Sequence, residues 1–132
     1  MAAVFASGLG SSSSLPISLS PTFIGPTVTL SVTSTTQTVF VTASRAMGSS
    51  VAGGASALNL YVCRQLGVAA PVALGAGSFG QTCLQNTRTP MGLNAVFTGL
   101  AAGSYLFGLC ATVSNANWDN NEFGYTSAIL MN

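Results

Sequence analysis

Three features of this 132-residue sequence predict an all-β chain. Apolar and polar residues alternate with period two in several segments, Gly, Pro, Ser and Asn separate those segments, and no window sustains a helical period with caps. The length suits one domain with its own core. The most economical architecture is an antiparallel β-sandwich, jelly-roll-like, with an extended N-terminal arm.

The arm is residues 1–26. Its segment "GSSSSLPISLSPTFIGP" carries Pro16, Pro21 and Pro26, which exclude helix, while Leu15, Ile17 and Leu19 alternate with polar or proline positions as on an edge strand. A neighbouring subunit is expected to hold it. Residues 27–132 form a single sandwich domain. In "TVTLSVT" Val28, Leu30 and Val32 face one side and the Thr and Ser residues the other. "QTVFVTAS" (Gln37 to Ser44) sets Val39, Val41 and Ala43 against Thr38, Phe40 and Thr42. "ALNLYVCRQ" (Ala57 to Gln65), "LNAVFTGL" (Leu93 to Leu100), "GSYLFGLCATV" (Gly103 to Val113) and "GYTSAILM" (Gly124 to Met131) supply the remaining strands.

The last two strands are apolar on both faces. Tyr105, Phe107 and Leu109 oppose Leu106, Gly108 and Cys110, and Tyr125, Ile129 and Met131 oppose Ala128 and Leu130. A sandwich strand needs only one apolar face, so the second requires a cover. Another copy of the chain is the expected cover, with Phe40, Tyr105, Leu106, Phe107 and Leu130 as self-association residues.

Composition narrows the function. Only 4% of residues are charged, namely Arg45, Arg64, Arg88, Asp119 and Glu122, and the chain has no Lys and no His. A net charge of +1 gives no hold on nucleic acid or anionic lipid. No apolar run of about 20 residues is present for a spanning helix, and the opening "MAAVFASGLG" lacks the basic segment of a signal peptide. Neither membrane insertion nor an export signal is expected from the given chain, and the address predicted is extracellular or a cell or particle surface. Catalysis lacks its usual general bases, leaving two carboxylates three positions apart. No enzyme activity, catalytic residue, metal site or cofactor is expected. "GAGSFG" (Gly75 to Gly80) is followed by neither Lys-Ser/Thr nor a helix and reads as a turn.

Of the three cysteines, Cys63 and Cys83 bracket a Gly- and Ala-rich excursion that a disulfide would staple, leaving Cys110 as a free thiol; three buried free thiols are an equal alternative. The stretch "SNANWDNNEFGY" holds both carboxylates and the only Trp. Asn115, Asn117, Trp118, Asp119, Asn120, Asn121, Glu122 and Tyr125 form the candidate ligand loop, with Trp118 stacking on a sugar and the amides and acids bonding its hydroxyls. Asp119, Asn120 and Glu122 also offer oxygen ligands to calcium, although their spacing is not that of the twelve-residue calcium loop. A plain surface connection rich in turn-forming Asn is the competing reading.

Phe97–Thr98 followed by Gly103–Ser104–Tyr105–Leu106–Phe107 resembles the complement-type globular head, a jelly roll of the tumour-necrosis-factor superfamily. "TVFVTASRAMGSSVAGGASALNLYV" is similar to the strand–loop–strand layout of bacterial filament-tip domains of that superfamily. The resemblance covers about a third of the chain. It implies a homotrimer with apolar aromatic faces along the threefold axis and a role in binding or display.

The function expected is therefore a non-catalytic structural or display domain that assembles with itself, as a trimer or a surface-assembly subunit. The alternatives are a carbohydrate-binding module working through the Asn115–Tyr125 loop, and a filament in which the N-terminal arm completes the sheet of the next subunit.

Overall fold

A computed structural model of the chain describes residues 1–8 and 14–132, so the serines Ser11–Ser13 of the expected arm lie outside the described residues. The described strands are β1 (Ala2–Gly8), β2 (Ser18–Phe23), β3 (Val28–Val32), β4 (Thr38–Ser49), β5 (Ala55–Leu66), β6 (Val72–Cys83), β7 (Thr87–Phe97), β8 (Gly103–Val113) and β9 (Gly124–Met131). They form a β-sandwich of antiparallel sheets, one ordered β1-β9-β4-β7 and the other β2-β8-β5-β6, with β3 also on β8.

β2 and β3 are one edge strand broken in the middle. Phe23 stands opposite Cys110 and Val28 opposite Phe107, so both run antiparallel along the same side of β8. Pro26 cannot donate to a ladder, and the chain dips at the break to bury Ile24, whose N–H still reaches the Leu109 carbonyl at 3.0 Å. Counting β2 and β3 as one position gives two sheets of four positions, and the chain passes between them in the order of a jelly roll.

The arm does not stand apart. β1 pairs β9 from Ala2↔Leu130 to Gly8↔Gly124, β2 pairs β8, and Leu15 and Ile24 enter the core. Its described residues are held by their own chain, which replaces the division into arm and domain. The Gly-rich excursion is likewise a strand: β6 forms a long hairpin with β5, with register shifts along the pairing. Gly77 permits it, because a Cβ there would lie 2.2 Å from the Leu60 carbonyl oxygen.

Two apolar clusters fill the space between the sheets. One joins Val39, Val41, Val62, Phe97, Tyr105, Phe107 and Leu130; the other joins Leu15, Ile24, Met47, Leu58, Leu60, Leu109, Val113 and Trp118. Tyr105, Phe107 and Leu130 are thus core residues of the single chain, which corrects their expected place in self-association. The inward parity of β8 is carried by its odd-numbered residues. Leu106 is half-buried on the opposite face, and of the five expected contacts Phe40 alone is exposed.

The middle of the outward face of β8, at Gly108 and Cys110, is buried within the chain. Cys63 and Cys110 form a disulfide there, Cα to Cα 5.9 Å, and a Cβ on Gly108 would meet Pro26, Phe23 and Thr27. This corrects the expected Cys63–Cys83 bridge, since Cys83 is free. The hairpin explains it. Cys83 stands opposite Ala55 while Cys63 stands opposite Ala73, so the two lie at opposite ends of the β5–β6 pair. Eight residues of strand separate them by roughly 26 Å, far beyond the reach of a disulfide.

Candidate functional site

The connection from β8 to β9 is a clasp across one end of the sandwich. Glu122 N donates to Ala46 O (2.9 Å), Ala46 N to Phe123 O (3.0 Å) and Asn120 N to Gly48 O (3.1 Å), so it continues the ladder of β4. Its side chains are spent on the same task. Asn117 Nδ2 donates to Gly54 O at 3.0 Å, Asn115 Nδ2 to Ser56 Oγ at 3.2 Å, and Asn121 accepts from Gly48 N and donates to Trp118 O. Asn120 donates to Thr87 O and accepts from the Arg88 guanidinium.

Trp118 is 0% exposed, and its Nε1 donates to Ser56 O at 2.9 Å. An indole in that position offers no face to a sugar, so the stacking role expected of it is corrected to closing the core. Both carboxylates are also engaged. Asp119 accepts the Ser50 hydroxyl (2.6 Å) and the Ser50 N–H (2.7 Å), and these bonds hold its carboxyl below the usual aspartate range. Glu122 pairs with Arg88 at 2.8 Å. Among the described residues no group of His, Cys, Asp and Glu is arranged to hold a metal ion. Burial pushes the Arg45 guanidinium below its usual range, and it donates to the carbonyls of Ile24 and Glu122, tying the two sheets.

Tyr125 is the exception in the candidate set. It leaves the clasp on β9 and points outward, 58% exposed, with its ring stacked on Phe123 at 6.4 Å. It belongs to a different surface, the outward face of the β1-β9-β4-β7 sheet. There Phe40 stands opposite Ile129 on one side and Val96 on the other, and Ile129 stands opposite Ala3. One apolar row therefore crosses all four strands. Phe40, Ile129 and Val96 are 43%, 41% and 46% exposed. Met131 opposite Thr38 lies along one side of that row, and Ser127, Thr42 and Asn94 along the other. None of these residues is charged. Cross-strand side chains at such spacing touch each other, so the row is a continuous ridge.

Alternation signals this face in the sequence, because Tyr125, Ile129 and Met131 share one side of their strand. What the strand pattern alone leaves open is which side meets the core. No protein-family model matches the chain, and no curated protein matches it.

Proposed function

We propose that the protein is a non-catalytic structural domain that assembles with copies of itself, as a homotrimer displayed outside the cell, through the outward face of the β1-β9-β4-β7 sheet. The observation that carries this is the uncharged row Ala3–Ile129–Phe40–Val96 across the whole sheet. Burying such a row gains about 25 cal/mol per Å² of apolar area, and with no ion to desolvate the cost of contact is small. Self-repulsion is weak at a net charge of +1. The trimer rests on the resemblance of the Phe97–Phe107 stretch to complement-type heads. An external address is supported by the disulfide, which persists in oxidising surroundings. A non-catalytic role is supported by a chain without His or Lys whose carboxylates hold Ser50 and Arg88.

Placing a charge in the row tests the reading. Phe40→Glu should convert the assembly to monomers while leaving the far-ultraviolet spectrum unchanged, because Phe40 contributes nothing inward. An assembly that survives both Phe40→Glu and Ile129→Glu would move the interface elsewhere.

A further inference from the structure

The alternation of β5 through Leu58, Leu60 and Val62 faces the core, and the next inward position is Arg64. A guanidinium aimed between two sheets breaks the apolar pattern. It opens on a cleft of ≈ 540 Å³ at the β6–β7 side of the sandwich, lined by Leu66, Val72, Leu74, Phe97 and Leu100 among others. That volume lies in the range of small-molecule sites. The Arg64 cation lies over the Tyr105 ring, 6.0 Å from its centroid. Among the described residues it donates no hydrogen bond and makes no ion pair, unlike Arg45 and Arg88. Nor is a side-chain carboxylate left to serve it, since the chain has only Asp119 and Glu122 and both are engaged. Large apolar side chains of the lining are exposed at its mouth: Leu66, Val72 and Val96.

We propose that this cleft binds a monocarboxylate with a short aliphatic tail, the carboxylate set against Arg64 and the tail against Leu66, Val72 and Leu74. A single negative charge matches the one guanidinium that lines the cleft; a dianion would bring a second charge into a half-buried site with no partner. The neutral lining suits hydrocarbon, and an Arg fork suits a carboxylate. This inference is independent of self-association.

Isothermal titration of the full chain with octanoate and with 1-octanol decides it. Octanoate should saturate at one per chain and bind at least tenfold more tightly than octanol. Decanoate should bind about tenfold more tightly than octanoate, as expected for two further buried methylenes. Arg64→Gln should lower octanoate affinity at least tenfold and leave octanol unchanged. Octanoate that does not saturate, or binds no better than octanol, overturns the proposal, as does an Arg64→Gln protein that binds octanoate equally. Should Arg64→Gln fail to fold, the comparison of octanoate with octanol on the unaltered protein still decides.

Discussion

Phe40 and Ile129 face each other across β4 and β9, and both project away from the core that their neighbours Val39, Val41, Ala128 and Leu130 fill. The same strands thus build a self-contained interior and an apolar exterior. The interior reasons lead to predictions about stability, and the exterior to one about association.

Trp118 closes the core, so its removal should cost stability and no ligand. Trp118→Ala is expected to lose about 3–5 kcal/mol in urea unfolding, as for other large buried aromatics. The native fluorescence should be blue-shifted and resist iodide quenching. A loss under 0.5 kcal/mol, or ready quenching, would count against the buried indole.

The bridge between Cys63 and Cys110 leaves Cys83 as the free thiol. Unfolded without reductant, the protein should titrate one thiol, and all three after reduction. The paired substitution Cys63→Ala with Cys110→Ala should cost about 2–4 kcal/mol, because the bond closes a long loop. A mapped Cys63–Cys83 peptide would refute the pairing.

Asp119 has its carboxyl depressed by the two Ser50 bonds. The stability this contributes is present above the unfolded pKa of about 4 and fades as pH falls through the lower folded value. The acid limb of the melting temperature against pH should therefore be shallower in Asp119→Asn. Identical limbs in the two proteins would contradict a stabilising role for the Asp119–Ser50 bonds. Because the group is open to solvent, the effect should be modest.

Ala57 sits at φ 55°, a left-handed conformation that an L-residue adopts at a cost, at a register shift in β5. Glycine meets no such penalty. Ala57→Gly should raise stability by roughly 0.5–1 kcal/mol, whereas Ala128→Gly in the regular part of β9 should lower it by about 1 kcal/mol. Equal losses at both positions would contradict the backbone reading.

How far the fold is legible in the sequence follows from the strength of the local pattern. β8 and β9 run from Gly103 to Val113 and Gly124 to Met131, the bounds that alternation predicts, because large apolar residues mark them. β4 extends five residues past Ser44, through Arg45 and Gly48, where the first part of β7, Thr87 to Met91, supplies the ladder partners on one side and the clasp bonds the other, neither of which a local pattern announces. β6 hides because Gly75, Gly77 and Gly80 resemble turn residues, and β1 because the Ala residues of "AAVFASG" carry little contrast. The orientation of β8 depends on what lies over each face. Phe23, Pro26 and Thr27 cover Gly108 from distant positions in the chain, so Tyr105 and Phe107 turn inward. The clasp asparagines suggest recognition because amides serve ligands and backbone equally well; only their partners in space, such as Gly54 O and Thr87 O, distinguish the two.

Association of the unaltered protein is the most direct test. Sedimentation equilibrium at micromolar concentration should return three times the chain mass of 13.2 kDa, and that value should hold at high salt because the contact contains no ions. A single species at 13.2 kDa, its Phe40 ridge open to water, would contradict the account.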